Sequence, residues 1–336
     1  MPSNRRHFLQ QLGALGATPS LAALGSATLL GAPRTARAAD WPTRPIRLVV
    51  PYPAGGSSDI IARLISRHLG EALGQPIVVD NRPGANGNIG AAMVAQAGAD
   101  HHTLMLCDVG ALAISPSVYT KLSFDPGKDL SGVAMLAYSP HLLVVHPSVP
   151  AGNLKEVVEL SRRTPLNFAV TAIGSAPHLA GVAVAQATGA KWQYVPYKGG
   201  SQAVTDTVAG TAQVLMNGML ATLPQVQAGK LKLLAVSKKT RMPLIAQVPT
   251  IAEQGVPGFE SGTWQGVMAP AAMPDALVAR LSAELIRIIR LPEVRAQLTA
   301  QGAEVVTMTP PETNRFFASE RTRWAAVVKE GGVRLD

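Results

Sequence analysis

The sequence has little sulfur, few aromatic residues and few charges. Cys107 is the one cysteine among 336 residues, which excludes an intramolecular disulfide and any zinc or iron–sulfur site built from several thiolates. Aromatic residues make up 4% and charged residues 15%, whereas hydrophobic residues make up 47%. The chain can therefore bury a sizeable core, is not globally disordered, and is long enough for two domains.

Basic residues exceed acidic ones, but they form no run. The formal net charge is +9, and four of the arginines lie in the first 39 residues, which contain no acid. Without that segment the charge is +5. Nucleic-acid-binding surfaces show clusters of Lys and Arg, and none of five or six occurs here. We expect no nucleic-acid partner, and a mildly basic surface that favours small anions.

Residues 1–39 have the pattern of an export signal. Arg5 and Arg6 stand before an apolar pair, as in a twin-arginine signal. A mild apolar stretch over 12–32 contains one proline and four glycines, and Ala36-Arg37-Ala38 supplies the small residues of a cleavage site. We predict cleavage near Ala38 and export to the periplasm. The alternative is an uncleaved membrane anchor of about 20 residues.

The remaining chain alternates short β-rich runs with amphipathic helical patterns, which is typical of an α/β fold. Strands are predicted at 46–51, 77–80, 103–107, 142–147, 168–170, 193–196, 214–217, 232–236 and 266–269. Helices are predicted over about 59–73, 88–98, 153–163, 177–188, 201–209, 220–228, 275–290, 292–301 and 311–330. These two blocks and a helical tail predict two lobes. Lobe 1 comprises 40–141 and 240–336, and lobe 2 comprises 142–239.

Three loops connect a predicted strand to a predicted helix and are rich in glycine and serine. The first contains Gly55, Gly56, Ser57 and Ser58; the others span 172–178 and 197–201. Ligands of open α/β sheets bind at the carboxyl ends of strands, and free amides at a helix start suit a carboxylate or phosphate. Each loop alone fits an ordinary capped turn. Together, in two lobes, they favour an anion-binding cleft.

Motifs of the common enzyme classes are missing. The sequence has no GxxxxGK[ST], no GxSxG and no HExxH. The loop over 84–90 has GxxGxxG spacing after the second strand, unlike a dinucleotide-binding loop. His178 is more typical of a helix start than of a general base. We expect neither a cofactor nor a metal.

Four segments, in this order and spacing, resemble the Bug-type extracytoplasmic solute-binding receptors of the tripartite tricarboxylate transporter systems. They are PYPAGGSSDIIAR at 51–63, NRPGANGNIG at 81–90, YVPYKGG at 194–200 and PTIAEQGVPGF at 249–259. The resemblance implies a two-lobed periplasmic-binding-protein (Venus flytrap) architecture with a mixed, mostly parallel sheet in each lobe. It implies a receptor that closes on a small organic carboxylate and delivers it to the membrane subunits of a transporter. We also expect a monomer.

The resemblance also implies a binding site, carried over by motif. One wall comprises Tyr52, Ala54, Gly55, Gly56, Ser57 and Asp59; the other comprises Gly174, Ser175, His178, Tyr197 and Lys198. After the third strand the family often has small hydroxyl residues, whereas this chain has Asp108. An acid there would repel a second ligand carboxylate, or pair with a ligand ammonium or amide. Citrate-like ligands are therefore in doubt.

Two rival functions remain open at this point. One is an exported enzyme acting on a carboxylated substrate, with Ser175 or Ser57 as nucleophile and His178 as base. The other is a ligand-presenting partner of a membrane sensor kinase, which shares the fold and the ligand. Turnover of a bound ligand separates the first rival from a receptor. Loss of uptake or of signalling in a deletion strain separates the second.

Overall fold

A computed structural model describes residues 41–335. The predicted export signal lies outside these residues. Within them, no helix is both long and apolar enough to cross a membrane.

Strands and helices alternate along the chain, as predicted. The strands are β1 (Ile46–Val50), β2 (Ile77–Asn81), β3 (Thr103–Cys107), β4 (Leu130–Val145), β5 (Leu166–Val170), β6 (Trp192–Pro196), β7 (Val214–Gly218), β8 (Lys232–Val236), β9 (Gly262–Pro270) and β10 (Glu304–Met308). The helices are α1 (Ser57–Leu73), α2 (Asn88–Ala95), α3 (Ser115–Val118), α4 (Leu154–Arg163), α5 (Ala176–Thr188), α6 (Gly200–Val208), α7 (Met219–Gln227), α8 (Asp275–Ile289), α9 (Pro292–Ala300) and α10 (Pro310–Gly331).

The strands form two half-sheets that share β4. The order is β2-β1-β3-β9-β4-β10 in lobe 1 and β6-β5-β7-β4-β8 in lobe 2. The first half of β4 pairs with β9 and β10, and the segment from His141 to Val145 pairs with β7. In lobe 1 only β9 and β10 oppose the other described strands, and in lobe 2 only β4 does. Each half-sheet is therefore mixed, and most of its strands run in the same direction, as expected.

Helix α1 shows why these elements form where they do. Its apolar positions recur every three or four residues, so Ile61, Ile65 and Leu69 lie on one face. All three are buried against β1 and α8 in the lobe 1 core. Gly74, with φ 72°, ends the helix by returning its N–H to the Gly70 carbonyl. This packing fixes the amino end of α1 beside the carboxyl end of β1.

The lobe 2 core includes residues beyond the predicted boundary at 239. Ile251, Val256 and Phe259 pack in the same cluster as Phe168 and Val170 of β5. The chain pairs with lobe 1 again only from Gly262, opposite Pro140. We therefore propose that lobe 2 extends to about residue 260 and that the two crossings lie side by side.

A buried hydroxyl–imidazole network lies at these crossings. The two ring nitrogens of His141 are 2.9 Å from Ser261 Oγ and 3.0 Å from Thr263 Oγ1. The Ser237 hydroxyl accepts from the His141 amide at 2.8 Å. His141 is fully buried, and this burial lowers its pKa to about 3. The histidine is therefore neutral at ordinary pH and links both crossing segments.

Candidate functional site

A cleft of about 470 Å³, counting its open mouth, lies where β1, β3, β5 and β7 end. This is the position at which open α/β sheets bind ligands. Lobe 1 contributes Tyr52, Gly56, Ser57, Ser58, Asn86, Asp108, Gly110 and Thr263; lobe 2 contributes Thr171, Ser175, Ala176, Pro177, Gly200 and Asn217.

The amino end of α1 presents free donors to this cleft. Gly56 is the N-cap, with φ −80°, and no side chain caps the helix. The amides of Ser57, Ser58 and Asp59 donate to no group within residues 41–335. The first amides of a helix have no partner inside the helix and carry the positive end of its dipole. This helix end can therefore bind an anion.

The amino end of α6 faces α1 from the other lobe. Its N-cap, Gly199, also lacks a side-chain cap, and the amides of Gly200, Ser201 and Gln202 have no partner among the described residues. A Cβ on Gly55 would lie 3.6 Å from the Ser201 Cβ, and a Cβ on Gly199 would clash with the Pro53 ring. The two glycine-rich loops thus meet across the cleft.

Ser175, at the amino end of α5, lines the cleft, but its hydroxyl is already occupied. It donates to the Ala172 carbonyl at 2.7 Å and accepts from the His178 amide at 3.3 Å. The hydroxyl therefore caps α5, and its direct contribution to a ligand is small.

Asp108 is the one charged residue among those that line the cleft. Its Oδ1 accepts from the Tyr52 hydroxyl at 2.6 Å and from the Gly110 amide at 2.7 Å. Burial raises the pKa of Asp108, while these two hydrogen bonds oppose the rise. Burial and the neighbouring Asp108 raise the pKa of Tyr52 well above its usual range, so the phenol stays protonated.

Two predicted site residues hold the loops in place and do not line the cleft. Asp59 is buried and accepts from the Gly55 amide, Asn81 Nδ2 and Arg63 Nε at 2.9–3.0 Å. His178 Nδ1 accepts from the Gly174 amide at 3.1 Å. Burial lowers the pKa of His178 to about 4, so it accepts as a neutral ring.

The other predicted residues divide between the cleft and its surroundings. Tyr52, Gly56, Ser57, Asp108 and Ser175 line the cleft. Tyr197 and Lys198 line an adjoining pocket of about 440 Å³, counting its open mouth, which shares Asn86 with the cleft. Ala54 and Gly55 are exposed outside the cleft lining, and Gly174 supplies a carbonyl that accepts from Asn86 Nδ2 at 3.1 Å.

Several cleft residues were not predicted as site residues: Ser58, Asn86, Gly110, Thr171, Ala176, Pro177, Gly200, Asn217 and Thr263. Thr171 directly follows β5, and Asn217 stands near the end of β7. The rule that ligands bind at the carboxyl ends of strands could have found both. Thr263 lies in an antiparallel strand, and no local signal places it there.

Comparisons with known proteins agree on one family. The family model described as "Tripartite tricarboxylate transporter family receptor" matches residues 61–333. Protein BugT of Bordetella pertussis is 36% identical over 298 residues, which cover 88% of this chain and 91% of BugT. A structure of an R. palustris protein with adipate has a TM-score of 0.85 and 35% identity, covering 88% of this chain and 99% of that one. The structure of MatC from Rhodopseudomonas palustris with bound malate has a TM-score of 0.82 and 32% identity, covering 86% of this chain and 100% of that one.

Proposed function

The chain belongs to the tripartite tricarboxylate transporter receptor family, and we propose that it captures a small organic carboxylate in the cleft and delivers it to the membrane subunits of such a transporter. The observation that carries this proposal is the pair of uncapped helix ends, α1 and α6, that face each other with free amides. The relatives described with adipate and with malate support the class of ligand.

A screen of organic acids tests this proposal. We expect at least one carboxylate to raise the melting temperature of the mature protein and to bind in calorimetry with one site per chain. Mass spectrometry of the small molecules released by denaturing freshly purified protein gives an independent identification. A full panel with no binder, and no carboxylate released, would count against the receptor function.

We further propose that the cleft binds without chemistry. Ser175 uses its hydroxyl to cap α5, and His178 uses Nδ1 to accept from Gly174, so these two do not form a nucleophile–base pair. Within residues 41–335 no group of three or more His, Cys, Asp or Glu side chains could hold a metal ion. NMR of the ligand after prolonged incubation should recover it unchanged. A new product would favour the enzyme alternative.

The export route of the protein and the uptake of its ligand are proposals as well. Export by the twin-arginine route predicts that Arg5→Lys with Arg6→Lys retains the precursor in the cytoplasm; an unchanged periplasmic yield would contradict it. Uptake predicts that deletion of the gene abolishes accumulation of the labelled ligand. Normal uptake with lost transcriptional response would favour the sensor alternative.

We propose a monomer, because only three large hydrophobic side chains are exposed among the described residues, namely Val78, Ile89 and Leu244. Light scattering should give the mass of one mature chain. A dimer mass would contradict this proposal.

A further inference from the structure

We propose that the ligand is an amino carboxylate, whose carboxylate binds the helix ends and whose ammonium donates to Asp108 and Asn86. This inference rests on the proposed receptor function and narrows it to one class of solute. It assigns to Asp108 the role of a specificity-determining residue that selects against di- and tricarboxylates.

Asp108 offers one oxygen to the cleft. Its Oδ1 already accepts two hydrogen bonds, from Tyr52 and Gly110, which fix the orientation of the carboxyl group. Its Oδ2 makes no hydrogen bond within residues 41–335. A carboxylate oxygen that lines a cleft without a partner is an acceptor, and it suits a ligand group that carries hydrogens.

Asn86 adds a second acceptor at the same corner. Its side chain is 5% exposed, and its Nδ2 donates to the Gly174 carbonyl of the other lobe. That bond turns the amide oxygen of Asn86, Oδ1, away from Gly174. A Cβ on Gly110 would lie 2.9 Å from Asp108 Oδ1 and 3.1 Å from Asn86 Oδ1, so the carboxyl group of Asp108 and the amide oxygen of Asn86 both lie beside Gly110. Oδ1 of Asn86 has no donor among the described residues.

The charges of the cleft favour a ligand with one cation. Asp108 is the only ionisable carboxyl group in the lining, which holds no Lys, Arg or His. Two facing helix ends stabilise one carboxylate. A second ligand carboxylate would have to lie near Asp108 with no cation to compensate, and buried charges without partners are costly. An ammonium instead pairs with Asp108 and leaves the closed site nearly neutral.

Protonation of Asp108 is the competing way to admit a dicarboxylate. The titratable groups next to Asp108 are Tyr52, which donates to it, and Cys107, which precedes it in the chain. Burial and Asp108 raise the pKa of Cys107, so it stays a neutral thiol. A dicarboxylate could therefore bind only with Asp108 protonated, and its binding would take up one proton from solution.

Calorimetry on the mature protein distinguishes these cases with matched pairs of probes. The pairs are alanine and propionate, aspartate and succinate, glutamate and glutarate, and 4-aminobutyrate and butyrate. We expect at least one amino acid to bind about tenfold or more tightly than its partner without the amino group, since a charge-assisted hydrogen bond is lost. Proton uptake is measured in buffers of different ionisation enthalpy.

Asp108→Asn keeps the acceptor for Tyr52 and Gly110 but removes the charge. It should weaken amino-acid binding about tenfold or more and should not weaken binding of the deaminated partners. Asp125→Asn, at an exposed loop, is the matched control and should change neither the affinity for amino acids nor the affinity for their deaminated partners. Succinate or glutarate binding as tightly as its amino partner, or with uptake of one proton, would overturn this inference and leave the receptor function standing. Absence of binding by every carboxylate would overturn both.

Discussion

At the scale of single residues, the two neighbouring glycines of the first loop differ in what they require. Gly55 has φ 81°, in the left-handed region that disfavours other residues. Gly56 has φ −80°, and a Cβ there would lie 3.5 Å from the Pro53 carbonyl oxygen, an ordinary contact. Gly55 is thus explained by the backbone. Gly56 lines the cleft, and we propose that it is glycine because a ligand must approach the amides there.

Gly56→Val should therefore reduce affinity far more than stability. The side chain would obstruct the amides of Ser57 and Ser58, and loss of two charge-assisted hydrogen bonds weakens binding about a hundredfold or more. The poorer N-cap should cost only about 1 kcal/mol of unfolding free energy. Calorimetry with the identified ligand and a urea melt measure both quantities.

Gly55→Ala is the matched control for that variant. It should lose roughly 1–2 kcal/mol of stability, because alanine is strained at positive φ, and keep its affinity. Unimpaired binding by folded Gly56→Val protein would mean that the double glycine is only a turn.

Buried histidines make stability depend on pH. The folded-state pKa values of His141 and His178, about 3 and about 4, lie below the ordinary value near 6.5. Below pH 6.5 the unfolded chain therefore binds protons that the folded chain refuses. The stability contributed by these neutral rings is complete above pH 6.5 and falls as pH decreases. The slope between pH 6 and 5 approaches about 1.4 kcal/mol per pH unit for each histidine.

His178→Asn should reduce that slope by about 1.4 kcal/mol per pH unit, the contribution of one titrating group. The asparagine amide oxygen can still accept from Gly174 but does not titrate. Urea unfolding at pH 7.5, 6 and 5 gives the slope for both proteins. Identical slopes would contradict the assignment of a neutral, buried His178.

At the scale of elements, local sequence was sufficient where an element carries its own signals. Helix α4 is one example: Asn153 Oδ1 accepts from the Glu156 amide at 2.9 Å, and the Glu156 carboxylate accepts from the Gly152 amide and Asn153 Nδ2. Such a reciprocal cap is visible in sequence. The predicted helix over 153–163 matches the structure within one residue.

Asn153→Ala should consequently destabilise the protein by about 1 kcal/mol, since it removes the oxygen that satisfies the first turn of α4. Lys155→Ala, at an exposed position of the same helix, is the control and should stay within about 0.5 kcal/mol of the parent. Ligand affinity should not change in either variant, because α4 lies outside the cleft. A silent Asn153→Ala would show that the cap contributes nothing in this context.

Elements that depend on distant partners were missed. Strand β10 was not predicted: its five residues are all only partly buried, and it exists because β4 offers it an antiparallel edge. The early start of β4 at Leu130 likewise depends on pairing with β9. The same limit applies to the cleft. The loops at strand ends were predictable, whereas Thr263 and the orientation of Asn86 depend on tertiary contacts.

At the scale of the whole molecule, the facing loops give a direct test of lobe motion. The 3.6 Å separation between a Cβ on Gly55 and the Ser201 Cβ fits a disulfide. Gly55→Cys with Ser201→Cys should close the cleft covalently under oxidising conditions, and Cys107 is buried and should not interfere. The oxidised protein should be compact in small-angle scattering without ligand and should exchange ligand very slowly.

Reduction should restore ligand exchange in the double variant, and Ser201→Cys alone should exchange normally in either state. The unmodified protein should become more compact when ligand is added, as expected for lobes that rotate about paired crossings. Equal radii of the free, bound and locked proteins would indicate a rigid cleft.

The sharing of β4 also has a consequence for the order of assembly. Its lobe 2 partners, β7 and β8, are complete by residue 236, but its lobe 1 partners, β9 and β10, span residues 262–308. During synthesis from the amino end, β3 and the first half of β4 keep unpaired edges until β9 and β10 have been made. Unpaired strand edges are prone to association. The same order is expected when the whole chain refolds, because Leu215 pairs with Val144 of β4 whereas Leu106 pairs with Val267 of the more distant β9, and a longer loop costs more entropy to close. Pulse-labelled hydrogen exchange during refolding should then protect Leu215 before Leu106, and simultaneous protection would contradict this order. The lobe that begins first along the chain is thus the last to be finished.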